Sequence, residues 1–233
     1  MAQSGSQATR KSFRDKAEEH YEKRGLVKRA RLLVWIAVLT LLGRSSALRE
    51  AFHWALQRRV TADEIREAIL QTFLFAGYPR AIHAFEVLDE VLDERGVTDV
   101  PQTDRTPPRA GLRAFFRRRG RELFQEIYRH DTELVVNRIG RFQPEFMDWI
   151  IEDAYGKVLS RPYLDLKTRE ILSVALLTAL KLPRQLTPHM RGALRAGAKP
   201  RELRCAILQL DFLLAKDSIE KALVRLERAE TTL

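Results

Sequence analysis

The stretch TADEIREAILQ at residues 61–71 recurs, 138 positions later and without a gap, as KPRELRCAILQ at residues 199–209. The same shift lays Arg31 on Arg169, Ala37 on Ala175, Leu39 and Thr40 on Leu177 and Thr178, and Leu42 on Leu180. It also lays Leu48 on Leu186, Ala55 and Leu56 on Ala193 and Leu194, and Ala84 on Ala222. So many ungapped identities mark an internal repeat, in which one supersecondary unit is used twice. Each copy of the quoted stretch opens a helix. Thr61 with Glu64 three residues later is a capping box, and Pro200 suits a first helical position, where a missing N–H costs nothing.

Outward from that stretch each unit reads as a helical series. The first helices are expected at residues 30–42 and 166–180, the second at 47–57 and 187–196, the third after residues 61 and 199, and the fourth at 79–92 and 217–230. Residues 93–111 hold three prolines and two glycines among few apolar residues, which is linker composition. The chain is therefore divided into a basic N-terminal extension (1–29), a first repeat (30–92), a linker (93–111) and a second repeat with its preceding helices (112–233). Amphipathic stretches at 112–128 and 144–159 are expected to pack beside the second repeat. A charged helix at 13–24 is expected to be loosely attached ahead of the first.

Composition agrees with an all-α fold. Of the 233 residues 45% are hydrophobic, enough for a buried core, and Leu and Ala dominate that set while Gly (11) and Pro (9) are sparse. The longest apolar run, residues 32–42, is far short of the roughly 20 residues that span a bilayer as a helix. With no convincing leader sequence and a single cysteine, Cys205, the expected setting is the cytoplasm, and no intramolecular disulfide can form. The net charge of +10 is uneven: residues 1–31 carry nine Lys/Arg against four Asp/Glu, and residues 113–121 hold five arginines. A solvated basic face is the simplest reading, an acidic macromolecular partner a second. Nucleic acid is less favoured, because no recognition-helix or zinc-finger spacing accompanies the charge.

The segment Ala154-Tyr155-Gly156, Arg161-Pro162 and Leu164-Asp165-Leu166-Lys167-Thr168-Arg169-Glu170 resembles the entry to the unit of the carboxymuconolactone decarboxylase and alkylhydroperoxidase D family. Leu186-Thr187-Pro188-His189, Arg191-Gly192-Ala193-Leu194 and Gly197 are similar to its second helix and closing turn, where glycine can take a positive φ. In the first repeat, Val60-Thr61, Glu64-Ile65-Arg66-Glu67, Phe75, Gly77 and Pro79 resemble its third-helix motif. The resemblance implies an all-α tandem repeat of the alkylhydroperoxidase D-like helical unit and assembly into a homo-oligomer.

Redox-active members of that family carry a glutamate on the first helix and a CxxC followed by histidine on the second. Glu170 and His189 stand at the glutamate and histidine positions, but Leu182 and Gln185 occupy the cysteine positions, which removes the thiolate that chemistry needs. In the first repeat Leu32 and Ala51 replace the acid and the base. Conversely, the first repeat keeps the third-helix glutamate as Glu67, where the second has Cys205. One composite site, or none, survives.

Lactone decarboxylation needs a proton donor and a cationic group for the substrate carboxylates, with no metal or organic cofactor. Glu170 and His189 are the candidate acid–base pair, with Glu67 a further candidate, and Arg169 and Arg191 are candidates to hold a small anionic substrate. Burial beside the apolar residues 171–177 would raise the pKa of Glu170. Against this, Glu170 suits a helix N-terminus and Arg169 a surface ion pair. His20, His53, His83 and His130 show no metal-ligand spacing, and Cys205 reads most simply as a small buried residue. The preferred reading is a family member with a degenerate site, a pseudoenzyme that binds or scaffolds within a homo-oligomer. The alternative is a cofactor-independent decarboxylase or related acid–base enzyme on a small carboxylated lactone or keto acid, and a peroxidase-type redox role ranks third.

Overall fold

Helix-forming residues with apolar side chains all round the helix must be enclosed on every side, and two such segments organise this chain. The computed structural model describes residues 11–98, 100–104, 107–108 and 110–231. Its helices in chain order are α1 (Phe13–Glu22), α2 (Lys28–Leu42), α3 (Ser45–Gln57), α4 (Ala62–Glu94), α5 (Leu112–Tyr128), α6 (Thr132–Gly140) and α7 (Pro144–Trp149). The chain then runs on as a π-helical stretch, Ile150–Leu159, into α8 (Leu166–Leu180), α9 (Pro183–Arg195), α10 (Pro200–Leu208) and α11 (Lys216–Glu230). Among the described residues there is no strand.

The repeat is visible in the element bounds. α2 and α8, α3 and α9, and the starts of α4 and α10 are each 138 positions apart. α4 is interrupted at Gly77 (φ 75°, ψ 176°), two residues before Pro79, and its far half corresponds to α11. The capping box at Thr61 is formed: its hydroxyl accepts from the Glu64 N–H at 3.2 Å, and the Glu64 carboxylate accepts from the Thr61 N–H at 2.9 Å. Gly197, after α9, has the positive φ expected of it, 88°, and its repeat partner Arg59 adopts the same left-handed region at 63°.

Every residue of α2 from 30 to 40 and of α8 from 169 to 178 is buried, and the two helices pack on each other. α3 and α4 wrap α2, and α9 and α10 wrap α8. α4 also crosses to α8, so a third helix of one repeat reaches the first helix of the other. That crossing places the functional side chains.

Three expectations change. α9 starts at Pro183, four residues before the expected Thr187, because Pro183 is tolerated at the helix start and Pro188 forfeits a single backbone bond within the helix. α1 is not loosely attached: Phe13, Ala17 and Tyr21 are buried, and Phe13 meets Trp35 edge-on at 5.7 Å. The arginine-rich run on α5 is partly neutralised, with Arg113 paired to Glu152 at 3.1 Å, Arg119 to Asp104 at 2.6 Å, and Arg117 to Asp148.

α5 presses on the π-helical stretch through two glycines. A Cβ on Gly120 would fall 2.0 Å from the Ile151 carbonyl oxygen, and one on Gly156 would fall 2.2 Å from that of Phe116. Linker residues Gln102 and Thr103 are tied down as well. Tyr163 Oη donates to the Thr103 carbonyl at 2.7 Å, and the Gln102 N–H donates to Asp63 at 3.1 Å. No helix among the described residues is long and apolar enough to cross a membrane.

Candidate active site

Glu170 lies one turn into α8 and is fully buried, so it does not cap the helix N-terminus. Its Oε2 sits 3.0 Å from Nδ1 of His189 on α9, whose side chain retains 12% exposure. Glu170 Oε1 is buried without a hydrogen-bond partner. The two helices approach closely because Gly192 lies one turn beyond His189 on the same face of α9. A Cβ there would stand 2.6 Å from Glu170 Oε2 and 3.0 Å from Ile127. Gly192→Ala is therefore expected to push the carboxylate off His189 and to destabilise the fold by about 1–3 kcal/mol. Thermal unfolding, with NMR of the His189 ring, measures both effects.

Tyr128 on α5 and Tyr155 on the π-helical stretch complete the buried wall, their hydroxyls 3.1 Å apart. Burial pushes the Tyr128 pKa up to about 12, with the negative charge of Glu170 adding to it against the Tyr155 hydrogen bond. Tyr155 is raised well above the usual tyrosine range, by burial first and then by Tyr128 and Glu170. Both hydroxyls are donors in neutral solution. Between pH 10 and 12 an unfolded chain would release the Tyr128 proton while the folded chain holds it. Stability present below pH 10 is thus lost as pH rises towards 12, by roughly 2–3 kcal/mol. Ultraviolet titration is expected to show two of the five tyrosines ionising only after the fold is lost.

Arg169, a candidate from sequence to hold an anionic substrate or to form a surface ion pair, does not lie at the surface. Its guanidinium is fully buried, with Nη2 donating to Glu67 Oε2 at 2.7 Å and to the Arg161 carbonyl at 3.0 Å. Burial lowers its pKa, and Glu67 opposes that shift. Arg161 Nε donates to the other oxygen of Glu67 at 2.7 Å. Gln71, one turn past Glu67 on α4, donates to the Arg169 carbonyl at 2.7 Å and to Ser173 Oγ at 3.0 Å. Glu67 from the first repeat is therefore locked into the second. Arg191 lies two residues beyond His189, about 200° around the helix, and so does not share the His189 face.

Two clefts of about 510 and 530 Å³ open near these elements. The first is bordered by Glu67, Arg161 and Tyr163 against Phe85 and Asp89, and the second by Lys181, Leu182 and Arg225; neither includes Glu170 or His189. Among the described residues no group of acidic, His and Cys side chains could hold a metal ion. The other histidines meet acidic or hydroxyl partners, as His20 with Asp211 at 3.0 Å and His83 with Ser45 at 2.6 Å.

A model of the carboxymuconolactone decarboxylase family matches residues 7–90 and again residues 144–227, more than half of the chain. The chain belongs to the carboxymuconolactone decarboxylase family. The first matched segment takes in α1, and the second takes in α7 with its π-helical continuation. A 4-carboxymuconolactone decarboxylase from Acinetobacter baylyi is 38% identical over 79 residues, which are 34% of this chain and 59% of that relative. The match thus spans less than two thirds of the relative's length.

For a family member the duplication divides the site residues unequally. Glu67 pairs with Arg169 where α4 of the first repeat meets α8 of the second, and Glu170 meets His189 between α8 and α9. At the twin location stand Cys205, Arg31, Leu32 and Ala51, the last two buried and apolar. Tyr128, Tyr155 and Arg161 are not among the sequence candidates. Tyr155 and Arg161 fall inside the quoted motif, which is the signal that points to them, whereas Tyr128 lies outside the repeated helices and carries no such signal.

Proposed function

We propose that this carboxymuconolactone decarboxylase-like protein has a degenerate site and acts as a binding or scaffolding component of a homo-oligomer. The observation that carries this reading is the arginine. Arg169, next to Glu170 in the chain, is fully buried with its Nη2 engaged by Glu67, which supports a site where this cation is closed off from an entering carboxylate. Support for self-association comes from α6, α7 and the turn between them, where Leu134, Phe142, Phe146 and Trp149 are exposed. Apolar side chains concentrated in that way favour a protein interface.

The contact of Glu170 with His189 favours a second reading, in which the pair donates and accepts protons for a cofactor-independent decarboxylation of a small carboxylated lactone or keto acid. A panel of such substrates separates the two. Carbon dioxide release no faster than with His189→Ala, from a protein that light scattering finds oligomeric, is the expected outcome. Turnover lost in both Glu170→Gln and His189→Ala, with the oligomer unchanged, would replace the scaffolding reading by the enzymatic one.

A further inference from the structure

The cleft of about 530 Å³ lies where α11 meets the end of α8 and the start of α9, and it has the size of a small-molecule site. At the equivalent place in the first repeat, side chains bridge the same elements. Arg80 lies over Gly43 at the end of α2, where a Cβ would fall 1.5 Å from its Nη1, and Ser45 on α3 is joined to His83 at 2.6 Å. Neither bridge can form 138 positions later. Arg80 and Gly43 give way to Ser218 and Lys181, and Ser45 and His83 give way to Pro183 and Lys221. Lys221 pairs instead with Asp217 on its own helix at 3.0 Å.

The lining of the cleft suits a molecule that is apolar at one end and anionic at the other. Leu177 and Leu186 are buried there, while Leu182 and Val224 are 40% and 47% exposed. Two cations border this apolar surface, Lys181, which is exposed, and Arg225, which is half-buried. Neither side chain has an ion-pair or hydrogen-bond partner among the described residues. Gly43 and Val87 stand at these positions in the first repeat, so both cations are peculiar to the second. Lys181 even keeps the left-handed backbone of Gly43, φ 58° against 64°, a conformation that favours glycine. Ser218, 5% exposed, adds a buried hydroxyl without a hydrogen-bond partner. A carboxylate reaching the two cations gains charge-assisted hydrogen bonds, and its hydrocarbon body is removed from water against the leucines. Asp217 and Glu220, paired with Lys221 and Lys216 along α11, set negative charge nearby, which disfavours a polyanion.

We propose that this cleft is a binding site for an organic monocarboxylate with an apolar body. The carboxylate is held by Lys181 and Arg225, and the body lies against Leu177, Leu182, Leu186 and Val224. Neither Glu170 nor His189 borders the cleft, so binding here is independent of whether that pair moves protons.

The test titrates the full chain with octanoate, octanol and acetate, followed by calorimetry. Octanoate is expected to bind with a Kd of about 1 mM or tighter, and octanol and acetate at least about tenfold more weakly. Lys181→Gly and Arg225→Gln should each raise the octanoate Kd by about tenfold. Val224→Glu places at an exposed position the residue type that the first repeat carries there as Glu86, and it should abolish binding with Tm unchanged. Because Gly43 and Glu86 are accommodated in the first repeat, Lys181→Gly and Val224→Glu are expected to fold. Octanol binding as tightly as octanoate, octanoate binding undiminished in all three variants, or no saturation by about 10 mM octanoate would overturn the proposal.

Discussion

Replacing Glu67 by alanine is expected to lower the unfolding free energy by about 3–5 kcal/mol, the usual cost of stranding one member of a buried ion pair. Glu67 is 2% exposed and answers two arginines, Arg161 at 2.7 Å and Arg169 at 2.7 Å. Without it the guanidinium of Arg169, fully buried, would face Arg161 with no compensating charge. Desolvation that the carboxylate now offsets would then fall on the folded state alone. Glu67→Gln keeps the volume and one acceptor and should cost less. Denaturant unfolding measures the effect as a drop in midpoint at constant slope. A change under about 1 kcal/mol would mean that Arg169 finds solvent or another acceptor. Cys205→Ala at the twin position should have only a small effect in reduced protein, because the thiol is half-buried and pairs with no carboxylate.

A loss of about 3–5 kcal/mol is also expected for Trp35→Ala, from the cavity left by a large buried side chain. Trp35 is fully buried in an aromatic group with Phe13 at 5.7 Å, Trp54 at 5.6 Å and Phe212 at 6.3 Å between ring centroids. Its indole N–H donates to the Gln209 carbonyl at 3.0 Å, across the two repeats. The substitution removes both the packing and that donor. Because Phe13 is one of the anchors of α1, faster proteolysis within residues 11–27 should accompany the drop in stability. Undiminished protection of α1 would mean that Ala17 and Tyr21 hold it unaided. Ser173 is the repeat partner of Trp35, so Ser173→Ala should remove little more than its hydrogen bond from Gln71.

The helices are legible because the 138-residue shift needs only ungapped identities, and the capping box and Gly197 mark local geometry that the backbone alone dictates. Sequence and structure part where tertiary contact overrides local pattern. The charged stretch around α1 conceals an apolar edge of Phe13, Ala17 and Tyr21 at four-residue spacing, too short a series to outweigh its charge. Pro188 suggests a late start for α9, yet the one backbone bond it forfeits does not end a helix. At the site, Glu170 and His189 are legible from a motif within one repeat. The partner of Arg169 is not, since Glu67 stands 102 positions away and the pairing depends on α4 crossing to α8. Tyr128 is hidden for a similar reason, as only the packing of α5 on the π-helical stretch brings it to Tyr155 and Glu170.

Two double-mutant cycles in reduced protein test most directly whether the twin loci have diverged as described, one joining Glu67 with Arg169 and the other Cys205 with Arg31, each read by denaturant unfolding. The expected result is a coupling of about 2 kcal/mol or more for Glu67 with Arg169 and a coupling well below it for Cys205 with Arg31. Equal couplings at the two loci, or none between Glu67 and Arg169, would contradict the assignment of a charged pair retained at only one of the two loci.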